Sequence, residues 1–248
     1  MSSITSFTRL EIHFDTETLP PPFSHRYKLV IEKTDDTGLF ADLNLEYYGR
    51  EELSDEEITD EGFSDNDNYR WSGKLPLIWT NVIDEKLQVS NWKKKTDDQN
   101  SNLFLRINHS QGSEMLWPAD KRQWETFAQE LIQAIFELGK KEAPLIIQFL
   151  NIENKQRSYS IEYMFAERTV SISTSEKHQK PMDWYEGQQL LKYIFSFDYL
   201  PEVAIDKPKK QGNYISPGDG LWYELSQTVQ KGDPEKLHRL VETLKGYL

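Results

Sequence analysis

The chain has 248 residues, a net charge of −12, 37% hydrophobic and 12% aromatic residues and no cysteine, a composition that supplies one large or two small cores and is too aromatic for disorder. The missing cysteine excludes disulfides, thiolate nucleophiles and cysteine-based zinc sites, and the net acidity argues against a general phosphate-backbone binder, which needs a basic footprint. The start MSSITSFTRLEIHF lacks a basic region followed by an apolar one, and no long apolar run occurs, so a soluble cytoplasmic chain with no membrane role is expected.

In chain order, Leu10, Ile12 and Phe14 alternate with Arg9, Glu11, His13 and Asp15, the period of two that marks a half-buried strand. Pro20, Pro21 and Pro22 then interrupt it as a stiff connector. Tyr27, Leu29 and Ile31 predict a second strand, Thr34 to Gly38 a turn, and Leu43, Leu45 and Tyr47 a third strand; the short polar connections imply an antiparallel meander. Between Arg50 and Asn68 stand nine acidic residues and one basic one, a net of −8 that leaves −4 for the rest of the chain. Within this insert Ser54 and Glu57 have capping-box spacing, Leu53 and Ile58 have staple spacing, and Gly62 can end a short helix whose first turn carries Asp55, Glu56 and Glu57. The ligand spacing of an EF-hand cannot be laid on Asp55 to Asp67, so the insert reads as a solvated acidic surface with no metal site.

After the insert, Tyr69, Trp71, Leu75, Leu77 and Trp79 predict one or two short strands broken at Gly73 and Pro76. Trp92, the lysines from Lys93 to Lys95 and the polar residues up to Asn102 read as a surface excursion. Leu103, Leu105 and Ile107 form a further strand leading through His109 to Trp117. The clearest helix follows: Trp124, Phe127, Ala128, Leu131, Ile132, Ile135 and Leu138 make one apolar face, with Glu125, Gln129, Glu130 and Glu137 on the other side. Asp120 and Gln123 suit its start, and Gly139, taking the left-handed conformation, with Lys140, Lys141 and Pro144 suits its end.

The second half begins with PLIIQFLN from Pro144 to Asn151, an apolar run consistent with a strand covered on both faces. Tyr159, Ile161, Tyr163 and Phe165 alternate with polar residues, Val170 and Ile172 continue after a tight turn, and Asp183 with Glu186 caps a helix carrying Leu190, Leu191, Ile194 and Phe195. Residues Ala204 to Asp219 have linker composition, and Leu221, Leu225 and Val229, a turn at Gly232 to Pro234, and Leu237, Leu240, Val241 and Leu244 predict a C-terminal helical hairpin.

The expected fold is therefore α+β, with antiparallel meanders each followed by an amphipathic helix. Its divisions are residues 1–142 with the acidic insert 50–68, residues 143–203, and a linker with helical hairpin over 204–248. An internal duplication is one expectation, but Trp124 on Trp184 and Asp120 on Asp183 give two equally amphipathic registers, and two unrelated segments fit as well.

The alternating strand Leu103, Leu105 and Ile107 delivered into a helix with an early Trp124, then Phe127 and Leu131, resembles the strand-and-helix unit of the PC4, Whirly and Pur-alpha group. The resemblance implies paired units that bind single-stranded nucleic acid through basic grooves and exposed aromatic rings. This sequence departs from that pattern, because the strand faces expected to point outward carry Glu11, Asp15, Glu32, Asp42 and Glu46.

No catalytic constellation stands out. His13, His25, His109, His178 and His238 are scattered, no serine sits in a nucleophile elbow, and Gly212, Gly218 and Gly220 lack dinucleotide-loop spacing, so no cofactor is expected. The leading expectation is a non-enzymatic protein-binding or scaffold module that meets a basic protein through Glu56, Glu57, Asp60 and Glu61, with Trp71 nearby. One alternative is a single-stranded nucleic-acid binder stacking bases on Trp71, Trp79 or Trp92; another is an enzyme built on a carboxylate pair, which any acidic chain supplies.

Overall fold

Alternation of apolar and polar residues builds most of the strands, and the computed structural model describes residues 7–17, 19–34, 38–64, 66–93, 102–109, 112–174, 179–226, 229–230 and 234–248. The chain divides into two units, Met1–Glu142 and Ala143–Leu248. In the first, the order is β1 (Arg9–Asp15), β2 (His25–Lys33), β3 (Leu39–Tyr47), α1 (Asp55–Asp60), β4 (Tyr69–Leu75), α2 (Ile78–Val89), β5 (Trp92–Lys93), β6 (Leu103–His109), β7 (Gly112–Pro118) and α3 (Lys121–Leu138). The strands form one antiparallel sheet in the order β4-β3-β2-β1-β6-β7-β5. Its register aligns Ile12 with Leu29 and Leu105, and Leu29 with Leu43, so one face is an unbroken apolar layer. Helix α3 and the side chains of α2 supply its cover: Trp79 stacks edge-on against Phe127, Phe136 meets Tyr69, and Trp79, Ile83 and Leu131 are fully buried.

Several local expectations change on this scaffold. Beyond Pro76 the chain turns into α2 rather than a strand, because Trp79, Ile83 and Leu87 recur at helical spacing and all point into the core. Gly73 does not break β4; it lies within the strand, where a Cβ would run into the Trp71 ring. Gly139 is right-handed at φ −79°, and Lys140 takes the left-handed conformation at φ 56°. The glycine is needed for a close approach instead, since a Cβ there would meet the Tyr69 hydroxyl and lie 2.9 Å from Trp71 Cδ1. Glu130, expected on the polar side of α3, is buried. The turn expected at 35–37 and the lysines at 94 and 95 lie outside the described residues.

The second unit runs β8 (Leu145–Ile152), β9 (Gln156–Met164), β10 (Thr169–Thr174), β11 (Gln179–Met182), α4 (Trp184–Ile194), β12 (Asp198–Tyr199), a 3-10 turn at Pro201–Val203, β13 (Gly212–Ser216), β14 (Tyr223–Glu224), β15 (Val229–Gln230) and α5 (Pro234–Lys245). Its main sheet has the order β11-β10-β9-β8-β13-β14. Strand β8 is half-buried rather than covered on both faces, for Ile146 is 46% exposed and Gln148 also faces solvent. The predicted C-terminal hairpin is corrected to a single helix, α5. Asp219, with Gly218 and Gly220 at φ 116° and 81°, turns the chain back on itself, so residues 221–225 run antiparallel to β13 and Leu225 N–H donates to Asn213 O. The i, i+4 spacing of Leu221 and Leu225 was a coincidence of burial on a strand end. Residues 204–220, linker-like in composition, therefore contain β13, which pairs with β8 inside the second sheet.

With helix α1, the short strands β5, β12 and β15 and the 3-10 turn set aside, both main sheets share one connectivity: four strands laid down in order, a helix, then two strands added beside the first strand, then a helix, giving β4-β3-β2-β1-β6-β7 and β11-β10-β9-β8-β13-β14. This pairs α2 with α4 and α3 with α5, whereas both sequence registers set α3 against α4.

Helix α4 sits on its sheet through a glycine. A Cβ on Gly187 would lie 2.7 Å from Val170 Cγ2 and 3.2 Å from its Cβ, and Tyr163 Oη donates to Gly187 O at 2.8 Å. Alanine ordinarily favours a helix interior over glycine by about 1 kcal/mol, but a β-branched valine has no rotamer that clears the space. Gly187→Ala is expected to destabilise the protein by about 1–3 kcal/mol, read as a lower urea midpoint with unchanged slope.

Candidate functional site

The acidic insert is tied to the first sheet by Arg50, by Phe63 against Tyr47 and by Asn68, whose Oδ1 accepts from Tyr47 N. Arg50 is largely buried; its guanidinium donates to Pro22 O at 3.0 and 2.8 Å, to Ser64 O at 2.9 Å and to Asp67 Oδ2 at 2.7 Å, and lies over the rings of Tyr47 and Phe63 at 4.2 and 4.7 Å. Asp67 also accepts from Ser64 N and Oγ; against the opposing effect of burial, these bonds and Arg50 hold its carboxyl below the ordinary range. The planar fork satisfies a carbonyl of the proline connector and one of the insert at once, which an ammonium cannot do. Arg50→Lys is expected to cost about 2–4 kcal/mol and to raise amide exchange selectively over residues 53–64, measured by hydrogen exchange and denaturation.

On that anchor stands α1. Ser54 and Glu57 form the expected capping box, with Glu57 Oε2 accepting from Ser54 N and Oγ, each at 2.8 Å, and these bonds lower the Glu57 pKa. Ile58 is the buried residue of the helix, and Gly62, at φ 81°, ends it. Asp55, Glu56, Asp60 and Glu61 are exposed, and their carboxylates form no ion pair with any described residue. Of the four carboxylates picked out in sequence, Glu57 is thus engaged by the cap, and Glu56, Asp60 and Glu61 point to solvent.

Trp71 is not part of this surface in the same sense. It packs beside Gly73 and Gly139 and borders a groove of about 430 Å³ with Asp42, Asn44, Arg70 and Ser72; no bond or ring contact ties it to α1 among the described residues. Of the other two tryptophans considered for base stacking, Trp79 is fully buried, and Trp92 is half-buried and tilted at 5.6 Å against Trp124, whose Nε1 donates to Ser90 Oγ.

The open face of the first sheet holds what sequence reasoning missed. Glu11, Asp15, Glu32, Asp42 and Glu46 do share this face, but cross-strand register interleaves them with Arg9, Arg26, Lys28, Arg70, Lys74 and Arg106. Glu11 is only 4% exposed and accepts from Arg9 Nε at 3.0 Å and His13 Nε2 at 2.9 Å, with Lys28 Nζ at 3.1 Å. Arg26 is bidentate on Glu46, Arg70 donates to Asn44 Oδ1, and His13 lies flat on Phe104 with ring centroids 4.5 Å apart. A depression of about 260 Å³ borders this network, touching His13, Lys28, Asn102 and Phe104. The face whose carboxylates stood out along β1, β2 and β3 is close to neutral across six strands. Alternation alone already sets Arg9, Arg26 and Lys28 on it, and pairing register adds Arg70, Lys74 and Arg106.

Burial alone would raise the Glu11 pKa, yet the bonds from His13, Lys28 and Arg9 outweigh it and lower it to about 2. His13 shifts down as well, because burial together with Lys28 and Arg106 outweighs Glu11. Glu11 therefore contributes stability that is present above the ordinary glutamate value of 4.5 and is lost as pH falls toward 2. Glutamine at this position keeps one acceptor oxygen but loses the negative charge that Arg9, His13 and Lys28 surround, while Arg9 keeps its bond to Glu32. Glu11→Gln is expected to cost about 1–3 kcal/mol at neutral pH, a deficit that shrinks between those two pH values, as measured by urea unfolding across pH.

Of the remaining histidines, His25 bonds Phe23 O and His109 contacts Glu114, while His178 lies outside the described residues. Among the described residues no group of three or more His, Cys, Asp or Glu side chains could hold a metal ion, and no helix is long and apolar enough to cross a membrane. The chain matches no protein-family model, no curated protein and no solved structure, so its chemistry is read from its own geometry.

Proposed function

We propose that this chain is a non-enzymatic protein-binding module whose acidic insert captures a basic partner. The supporting observation is the contrast between the two acidic regions. On the open face of the first sheet the best-buried carboxylate, Glu11, has three basic neighbours, whereas Asp55, Glu56, Asp60 and Glu61 stand exposed on an anchored helix and its C-cap with no cation among the described residues. An ordered, like-charged surface costs self-repulsion in the free protein, and a lysine- or arginine-rich partner relieves it. Such a contact mainly sets encounter rate and partner choice and weakens as salt shortens the screening length. The shared connectivity of the two sheets supports reading the chain as two copies of one scaffold, of which only the first carries the insert.

Carbodiimide coupling joins carboxylates directly to lysines and tests this. In cell extract, cross-links from residues 55–61 to one basic protein are expected, and the purified pair should associate about tenfold or more slowly when salt is raised. Glu56→Gln/Asp60→Asn/Glu61→Gln, which leaves the Glu57 cap intact, should abolish the cross-links. A partner retained in full by that triple variant, or a single-stranded oligonucleotide bound in preference to any protein, would contradict the proposal.

A further inference from the structure

The open face of the second sheet differs in kind from that of the first. Register places Ser173, Ser160, Gln148 and Ser216 in one row across β10, β9, β8 and β13, with Ser158 in the next row opposite Leu150. Trp222 stands beside them, fixed by paired backbone bonds to Ile205 at 3.0 and 2.9 Å. Gln148, Ser158, Ser160, Ser173, Thr174 and Trp222 border a depression of about 280 Å³, while Ser216 is buried at the end of the row, and all nine of the lining residues are uncharged in a chain where 28% of residues carry charge. Among the described residues, the side chains of Gln148, Ser158, Ser160, Ser173 and Thr174 make no hydrogen bond and the Trp222 ring stacks on no other ring. The first sheet's open face satisfies itself with ion pairs; this one leaves its donors and acceptors available.

We propose that this face binds a neutral saccharide. Serine, threonine and glutamine each both donate and accept, which matches a ligand whose own hydroxyls do both. Successive groups in the row are separated by the strand spacing of about 4.8 Å, a distance that one sugar ring bridges. The half-exposed indole offers an apolar plane for the C–H face of the ring. An ion would lose hydration here without meeting a countercharge, so the site disfavours phosphates, carboxylates and amines. The volume, near the small end of ligand pockets, fits one or two sugar residues of a longer chain. This site is independent of the acidic insert, and its binding is insensitive to salt.

The test is a titration of the isotope-labelled full chain, followed by nuclear magnetic resonance, with cellotetraose, maltotetraose and tri-N-acetylchitotriose, and with tetragalacturonate as an anionic control. At least one neutral probe is expected to move the Trp222 indole N–H signal and the Ser158 and Ser160 amides, with a dissociation constant on the order of 1 mM or tighter. Ser160→Ala and Trp222→Ala are each expected to weaken that binding about tenfold. Ser160→Ala changes only a half-buried hydroxyl that has no partner among the described residues, so its fold persists even where Trp222→Ala perturbs the 205–222 bridge. The proposal is overturned if none of the three neutral probes moves these signals, if tetragalacturonate binds more tightly than all of them, or if Ser160→Ala leaves the affinity unchanged.

Discussion

An antiparallel sheet can remove one set of alternate side chains from water only where something apolar lies across it. In the first unit α2 and α3 provide that cover, with Trp79, Phe127 and Leu131 set against Ile12, Leu29 and Leu105. In the second, Gly187 lets α4 settle on Val170, and Tyr159 donates to Leu244 O at the end of α5. These helices consume most of the large apolar residues. Whatever the chain recognises has therefore to be read by the opposite faces and by the segments between strands.

Those surfaces divide according to whether their polar groups already have partners. Glu11 is enclosed by Arg9, His13 and Lys28, and Asp67 by Arg50 and Ser64; each is a structural carboxylate whose depressed pKa records the donors around it. Among the described residues, Asp55, Glu56, Asp60 and Glu61 have no ion-pair partner, and on the second sheet the serines and glutamine around Trp222 have no side-chain partner. One surface offers unbalanced negative charge, the other neutral hydrogen-bonding capacity. The two properties select ligands of different classes and respond oppositely to salt.

Much of the fold was legible in the sequence because period-two alternation is a local property. Leu10 to Phe14 and Tyr159 to Tyr163 announce their strands, and Ser54 with Glu57 announces its cap. Helix α2 escaped because Leu75, Leu77 and Trp79 alternate like a strand across Pro76, and that pattern outweighed the recurrence of Trp79, Ile83 and Leu87. The tail misled for the opposite reason, with helical spacing on residues that Gly218 and Gly220 turn into a strand partner. The candidate site was legible only in part. Capping chemistry and charge count located the insert, but the setting of Glu11 joins Arg9 and His13 of its own strand to Lys28, which register brings from β2. The row Ser173, Ser160, Gln148 and Ser216 likewise has members up to 68 positions apart, from 148 to 216, and no linear pattern joins them.

The central claim is that the carboxylates of this acidic chain fall into engaged and available sets. Covalent labelling of the free protein with carbodiimide and glycine ethyl ester, read residue by residue by mass spectrometry, measures this directly. Fast modification of Glu56, Asp60 and Glu61, with Glu11 and Asp67 modified slowest, is the predicted result. Equal labelling of Glu11, Asp67 and the α1 carboxylates would contradict it.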